Sequence, residues 1–155
     1  MKRKYNAILQ DMYKALGRGV TTDRQLEFVG RRLFGDNFLG VFPSCVKPRE
    51  FLKRADIDGF YYAILNVSPA NDPPGTHWLA VILRKREGSL FYYIYDSFAR
   101  RSKKLIPRFI KSIGYKYIDI NGQSDQKVSE SDCGARSMAV LLYVARHGIA
   151  SAKLI

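Results

Sequence analysis

The N-terminal part of the chain repeats apolar residues with the spacing of amphipathic helices. The first such segment ends at the glycines at positions 17 and 19. Residues 22–25, Thr-Asp-Arg-Gln, form a capping-box pattern, which predicts a second helix that Gly35 would close. The apolar positions of the first helix are Tyr5, Ile8, Leu9, Met12 and Leu16.

From residue 38 onward, short runs of β-branched and aromatic residues replace the helical period. Residues 38–42 and 60–67 predict two strands, because such residues fit a buried, pleated surface. Between them, Pro48 predicts a short helix over 49–54, since proline pre-sets the backbone of a first helical turn. Residues 68–75 have the composition of a loop.

The C-terminal half predicts a hairpin, two helices and one more strand. Residues 77–83 and 90–96 form the hairpin through a polar turn at 84–88. A helix over 107–113, a strand over 115–120 and a polar loop over 121–131 follow, and a final helix runs from Cys133 to about His147. These elements predict a single α+β domain, residues 1–155, with a mostly antiparallel central sheet flanked by helices.

The charge balance is strongly basic and points to a polyanionic partner. The chain has 26 Lys and Arg against 14 Asp and Glu, a net charge of +12. Such an excess favours sequence-independent binding of DNA, although a solvated basic surface would give the same count. The densest basic stretch, which we predict to contact nucleic acid, comprises Arg84, Lys85, Arg86, Arg100, Arg101, Lys103, Lys104, Arg108 and Lys111.

Cys45 and Cys133 are the only cysteines, too few for a disulfide scaffold or a four-sulfur zinc site. We therefore expect free thiols in a reducing compartment and no metal site. No apolar run has the length of a membrane span, and the basic N-terminus lacks the apolar core of a secretion signal. These patterns predict a protein that is neither secreted nor inserted in a membrane.

Cys133 lies at the predicted start of the last helix, where unpaired backbone N–H groups favour a thiolate. His77 begins one arm of the predicted hairpin and Asp96 ends the other. Because antiparallel pairing brings those two ends together, the carboxylate can hold the imidazole, as the third member of a catalytic triad does. The three residues together predict covalent thiol catalysis.

Gln126, seven residues before the cysteine, can supply an amide N–H to the oxygen of an attacked carbonyl. Each of these residues alone has an ordinary structural explanation: a strand histidine, a turn aspartate, a loop glutamine and a small buried cysteine. The ordered set His, Asp, Gln and then Cys-Gly at a helix start predicts a cysteine protease instead.

Several segments carry a resemblance to a known protease family. They are residues 38–42, 75–80 (Gly-Thr-His-Trp-Leu-Ala), 93–98 (Tyr-Ile-Tyr-Asp-Ser-Phe) and 123–126 (Gln-Ser-Asp-Gln), which precede Cys133 and Gly134. In order and spacing, over roughly residues 22–144, they resemble the adenain-like maturation proteases and the wider clan of SUMO/ubiquitin-like proteases. The short chain is similar to proteases of virophages and virus-like DNA transposons, which cleave capsid precursors.

This resemblance implies a papain-like fold with a permuted order of elements. His77 would be the general base, Asp96 its orienting group, Gln126 the oxyanion donor and Cys133 the nucleophile. Trp78 would contact substrate where the groove narrows, with glycine next to the scissile bond.

The resemblance also implies a set of partners and locations. The partners would be viral capsid or core precursors and DNA, the latter as a candidate activator, with no other cofactor required. The protein would be a monomer in the virion, the host nucleus or the cytoplasm.

Three other functions fit the same residues. A protease of ubiquitin-like modifiers and an effector-type acetyltransferase would use the same four groups. A basic nucleic-acid-binding module would retain the thiol site without catalysis. Peptide cleavage, acetyl-coenzyme A turnover and labelling of the thiol discriminate among these alternatives.

Overall fold

The computed structural model describes residues 2–67, 77–124, 126 and 131–155. The loop predicted at 68–75 and much of the loop predicted at 121–131 therefore lie outside the described residues. Within the described residues, helices and strands follow one another nearly as the sequence predicts.

Six α-helices and two 3₁₀ helices are present in the described part of the chain. The α-helices are α1 (Lys2–Leu16), α2 (Asp23–Phe34), α3 (Pro48–Arg54), α4 (Ser102–Leu105), α5 (Pro107–Ser112) and α6 (Cys133–His147); the 3₁₀ helices span Gly35–Asn37 and Ile149–Leu154. The strands are β1 (Phe38–Pro43), β2 (Gly59–Asn66), β3 (Trp78–Arg86), β4 (Ser89–Tyr95) and β5 (Tyr117–Asp119).

The first two helices confirm the sequence pattern. The five apolar positions predicted for α1 are its five buried residues. At the start of α2, Thr22 accepts a hydrogen bond from the backbone N–H of Gln25, and the Gln25 side chain accepts one from the backbone N–H of Thr22. This reciprocal pair is the predicted capping box.

The five strands form one sheet in the order β1-β2-β3-β4-β5. The three long central strands pair antiparallel, whereas β1 pairs parallel to β2 and β5 parallel to β4. The structure confirms the α+β fold class, and the outer strands make the sheet mixed.

The β3–β4 hairpin is tighter than predicted. Its strands extend into the predicted turn until Arg86 pairs with Ser89, which leaves only Glu87 and Gly88 between them. Their φ angles of 52° and 78° are the left-handed values of a type I′ turn, whose twist matches that of paired strands. The predicted turn at 84–88 was too long because charged residues in an exposed strand end look like a loop in sequence.

Two other boundaries differ from the prediction. The strand predicted over 115–120 is confined to Tyr117–Asp119, because Tyr115 has a φ of 59° and ends the preceding turn. The short helix Ser102–Leu105 was not predicted, since one turn is too short to show a hydrophobic period.

The sheet separates two hydrophobic cores. Helices α1, α2 and α6 cover one face, and α3 and α5 cover the other. Residues 79–83 of β3 are fully buried, because alternate side chains enter the two cores. Helix α6 packs on β3, and this packing brings the start of the helix to the strand ends that carry His77 and Asp96.

Candidate active site

Cys133 is the first residue of α6 and is 5% exposed. The residue before it, Asp132, accepts bonds from Arg136 Nε at 3.0 Å on each carboxylate oxygen and a further bond from the Tyr13 hydroxyl. Burial, followed by the bond to Asp132, raises the pKa of Tyr13 to about 12, so this hydroxyl remains a donor at neutral pH. These contacts anchor the start of the helix in the core.

Gly134 follows the cysteine where no larger residue fits. A Cβ at position 134 would overlap Thr21 Oγ1 and lie 3.1 Å from Thr21 Cβ. Thr21 is 1% exposed and belongs to the segment between α1 and α2. The glycine therefore lets this segment pack closely beside the start of the cysteine helix.

His77 links the cysteine to the carboxylate. Its Nε2 lies 2.6 Å from Asp96 Oδ1, and the Cys133 side chain is near enough to the ring to raise its pKa. Because Asp96 occupies Nε2, Nδ1 is the ring nitrogen left to face the sulfur. The predicted hydrogen bond between His77 and Asp96 across neighbouring strands is present.

The electrostatics of the site favour a charged imidazole. Burial alone lowers the pKa of His77, but the interactions with Asp96 and Cys133 outweigh it, so the pKa is raised above its usual value of 6.5. For Asp96, burial favours the neutral acid, yet the bonds from His77 and Arg100 lower its pKa to about 2. The carboxylate is thus ionised at any physiological pH.

Arg100 is a partner of Asp96 that sequence reasoning missed. Its Nε donates to Asp96 Oδ2 at 2.8 Å, and its backbone N–H donates to the same oxygen at 3.0 Å. We predicted Arg100 as a nucleic-acid contact, whereas the structure gives its guanidinium an ion pair at the candidate site. Charge counting alone could not identify this pair, because residues 96–100 lie between β4 and α4 and not on a helix.

Gln126 is held against Ser97, the residue after Asp96. The Ser97 hydroxyl donates to Gln126 Oε1, and the Gln126 backbone N–H donates to the Ser97 carbonyl at 3.1 Å. Gln126 is 5% exposed and Ser97 is 1% exposed. The structure thus brings Gln126 to the strand end that carries Asp96.

Trp78 does not have the exposed position that substrate contact requires. Its side chain is 2% exposed and belongs to the core beneath α6. The Trp78 carbonyl accepts a 3.0 Å hydrogen bond from the hydroxyl of Ser137, four residues after Cys133 on α6. Trp78 is therefore a core residue whose backbone ties β3 to the cysteine helix.

The predicted nucleic-acid contacts do not form one patch. Arg84 and Arg86 extend from the face of the sheet that α6 covers, whereas Lys85 points to the opposite face and donates to the Ala55 carbonyl at 2.6 Å. The remaining cations apart from Arg100 are exposed on or beside α4 and α5; they are Arg101, Lys103, Lys104, Arg108 and Lys111.

Two kinds of feature are absent from the described residues. No group of three or more His, Cys, Asp or Glu side chains among them could hold a metal ion. No helix within the described ranges has the length and apolar character needed to cross a membrane.

Comparisons with known proteins place the fold. The structure of the ASFV pS273R protease is similar, with a TM-score of 0.55 and 14% identity over 86% of this chain and 61% of that chain. The structure of AvrA delL154 with IP6 and CoA aligns over 82% of this chain and 53% of that chain, at 11% identity. Its TM-score of 0.40 is too low to establish a common fold.

No protein-family profile matches the sequence, and no curated protein matches it significantly. The chain spans about three fifths of the length of the ASFV protease. It has the fold of that protease, a five-stranded sheet flanked by helices, with Cys133 at the start of its last α-helix.

Proposed function

We propose that this protein is a cysteine endopeptidase in which Cys133, His77 and Asp96 form the triad and Gln126 donates to the oxyanion. The observation that carries the proposal is the His77 ring, which is hydrogen-bonded to Asp96 and interacts electrostatically with Cys133 at the N-terminus of α6. A thiol with a paired base at a helix start has the parts of a thiol nucleophile.

The proposed reaction begins with a proton transfer from the Cys133 thiol to His77. The thiolate attacks the peptide carbonyl carbon, and the carbonyl π electrons move to oxygen, where the Gln126 amide stabilises the charge. When the oxyanion collapses, the C–N bond breaks and His77 gives its proton to the leaving amine. Water then attacks the thioester as His77 takes its proton, and the carboxylic acid and the free thiol are released.

The burial of the site restricts its substrates. Cys133 is 5% exposed and His77 is 8% exposed, so a scissile bond must approach as a slender, extended segment. Glycine beside the scissile bond meets this condition, in line with the proposed cleavage at glycine-containing sites. Precursors of viral capsid or core proteins are the proposed substrates, supported by the viral origin of the ASFV protease that shares the fold.

The decisive experiment compares wild-type protein with Cys133→Ala on a panel of glycine-containing capsid-precursor peptides, with sequencing of the products. We expect cleavage by the wild type and a loss of several orders of magnitude in the variant, since removing a triad nucleophile costs about 10⁶ in kcat. Retained turnover in folded Cys133→Ala protein would contradict the proposal. Acetyl-coenzyme A turnover, or release of a ubiquitin-like modifier without peptide cleavage, would favour the alternatives.

Thiol labelling provides a second test, because Cys45 is exposed and Cys133 is buried. Access alone predicts that a small electrophile labels Cys45 first. Preferential labelling of Cys133, read by mass spectrometry, would report activation by its surroundings. His77→Ala should abolish that preference, and Cys45→Ser serves as the control that leaves Cys133 intact.

We also propose that the protein binds DNA without reading its sequence, on the strength of the net charge of +12 and the exposed cations of α4 and α5. Affinity should fall by about 0.9 log units per phosphate contact for each tenfold rise in salt. The charge-reversal test uses Arg101, Lys103 and Lys104 changed to Glu and leaves Arg100 intact, because Arg100 pairs with Asp96. Absence of binding at low salt would exclude DNA as a partner, and binding indifferent to salt and to charge reversal would exclude phosphate contacts by these cations.

DNA acts in this proposal by holding the enzyme near its substrate or by activating it, and no other cofactor is required. Cleavage rates of short peptides with and without DNA distinguish the two roles. The protein would work as a monomer in the virion, the host nucleus or the cytoplasm. Analytical ultracentrifugation of the wild-type protein measures its mass in solution and so tests whether it is a monomer.

A further inference from the structure

We propose that Ser97 is a positioning residue that orients the side-chain amide of Gln126 toward the reacting carbonyl. This inference rests on the proposed function, because it deepens the role of Gln126 in it. Ser97 is not among the four residues to which we assign chemistry, and its side chain is 1% exposed.

The contacts between the two residues fix both the backbone and the side chain of Gln126. The Ser97 carbonyl accepts from the Gln126 backbone N–H at 3.1 Å, and the Ser97 hydroxyl donates to Gln126 Oε1. Ser124 completes the clamp, since its hydroxyl lies 3.2 Å from the Ser97 carbonyl and 2.9 Å from the Gln126 carbonyl.

In the structure the hydroxyl bond holds the oxygen end of the amide at Ser97. A carboxamide has an acceptor oxygen on one side and a donor NH₂ on the other. With Oε1 bound to Ser97, Nε2 lies in the same plane at the other end of the carboxamide. A flipped amide would present its oxygen to the developing oxyanion, where two partial negative charges repel and the donor is lost.

The turn that contains Ser97 is held by the carboxylate that binds His77. Asp96 Oδ1 accepts from the Phe98 backbone N–H at 3.3 Å, and Asp96 Oδ2 accepts from the Arg100 backbone N–H at 3.0 Å. These bonds close a turn around Ser97. The strand end after β4 therefore fixes both the group that holds the base and the group that holds the oxyanion donor.

A purely structural role for Ser97 makes different predictions from a positioning role. Loss of a buried hydroxyl would lower stability and affect all reactions of the site alike. Loss of amide orientation would affect only reactions that place negative charge on a carbonyl oxygen. The two roles are separated by probes that do and do not form an oxyanion.

The experiment uses Ser97→Ala, Gln126→Ala and the double variant, with Ser151→Ala as a control. Ser151 is also buried and hydrogen-bonded, to the Gly148 carbonyl, but it lies in the C-terminal 3₁₀ helix and contacts neither Gln126 nor Asp96 through that bond. The first probe is acetyl-glycyl-glycinal: the Cys133 thiolate attacks its aldehyde carbon, the carbonyl π electrons move to the oxygen as an oxyanion, and His77 keeps the proton that it took from the thiol. The second is chloroacetamide, from which the thiolate displaces chloride without forming an oxyanion.

We expect Ser97→Ala to weaken aldehyde binding about tenfold, short of the roughly 10²–10³ that loss of an oxyanion donor costs in kcat. The chloroacetamide rate should stay unchanged. Where peptides are cleaved, kcat should fall with KM unchanged. In the Gln126→Ala background, Ser97→Ala should have no further effect, because the amide that it orients is gone.

The proposal is overturned if Ser97→Ala leaves aldehyde binding unchanged, slows both probes equally, or weakens aldehyde binding as much without Gln126 as with it. It is also overturned if wild-type protein reacts with chloroacetamide but does not bind the aldehyde. A wild type that binds the aldehyde but cleaves no peptide would refute the proposed endopeptidase. The ratio of aldehyde affinities would still decide the role of Ser97.

Discussion

Position 134 has no room for a side chain, because Thr21 fills the space where a Cβ would lie. Gly134→Ala should therefore destabilise the protein by about 1–3 kcal/mol, the usual cost of overpacking, despite the higher helix propensity of alanine. Denaturant unfolding measures the change. Gly19→Ala is the matched control, since a Cβ there meets nothing within 4 Å.

Thr21→Ala should restore most of the stability lost in Gly134→Ala. Among the described residues, Thr21 Oγ1 has no hydrogen-bond partner, so its removal sacrifices no bond while it relieves the overlap. A double variant no more stable than Gly134→Ala alone would show that the overlap is not the cause.

Arg100 should govern how the protein responds to acid. The pKa of Asp96 is lowered from 3.8 to about 2, so its ionised form contributes stability above pH 3.8 that is lost as the pH falls toward 2. Arg100→Gln removes one cause of the lowered pKa, so the stability lost between pH 3.8 and pH 2 should be smaller and the loss should end at a higher pH, while its onset stays near 3.8. Thermal unfolding between these pH values measures the shift.

Arg101→Gln is the control for this experiment, because it removes an adjacent exposed cation that does not bond Asp96. Equal shifts in the Arg100 and Arg101 variants would mean that net charge, and not the ion pair, sets the acid response. Asp96→Asn should remove the part of the pH dependence that Asp96 contributes, and Arg100→Gln should then have no further effect on it.

The sequence predicted the contact between His77 and Asp96 because both residues end neighbouring strands, and strand pairing is readable from hydrophobic runs. It did not predict Arg100 or Ser97. Their contacts depend on how a turn of a few residues folds back on a carboxylate, and turn geometry leaves little trace in composition. Trp78 was misplaced because an aromatic residue beside a catalytic histidine fits a groove and a core equally well.

At the level of elements, the β3–β4 turn offers a direct test of turn chemistry. Asparagine tolerates left-handed φ better than glutamate, so Glu87→Asn should stabilise the hairpin by about 0.5 kcal/mol. Gly88→Ala should destabilise it by about 1 kcal/mol, because alanine resists a φ of 78°. Urea unfolding of both variants measures the effects.

Glu87→Gln is the control for the asparagine variant, since it removes the same charge without the conformational preference. A gain in stability as large in this control as in the asparagine variant would assign the effect to charge. Loss of stability in Glu87→Asn would contradict the type I′ turn.

Helix α1 and the capping box of α2 could be predicted because their signals are local. The pairing of the outer strands could not, since a strand such as β1 carries the same residues whether its neighbour runs parallel or antiparallel. The direction is set by the chain between β1 and β2, where α3 returns the backbone to the same end of the sheet. The direction in which such a connection returns depends on the packing of the whole molecule and cannot be predicted from the strand residues alone.

At the scale of the whole molecule, a net charge of +12 should make stability depend on salt. Like charges repel in the compact state, and salt shortens the range of that repulsion from about 30 Å at 0.01 M to about 8 Å at 0.15 M. The midpoint of urea unfolding should therefore rise with sodium chloride. A midpoint that falls would show that attractive ion pairs outweigh the repulsion.

The two-residue turn at Glu87 and Gly88 is too short to lose a residue without a change in the pairing of β3 and β4. Two residues are the shortest common hairpin connection, so deletion of either one would push β4 along β3 by a residue. A slip of one position moves a side chain by about 3.4 Å and turns it to the other face of the sheet. The contact between Asp96 and His77 would then be lost, and Gln126, which is bonded to Ser97, would be displaced from the site. These changes would occur although the deletion lies at the opposite end of the strands. The length of this turn is thus a constraint on the candidate site. A deletion in the turn should disrupt the site, whereas an insertion there should leave the strand pairing and the site intact.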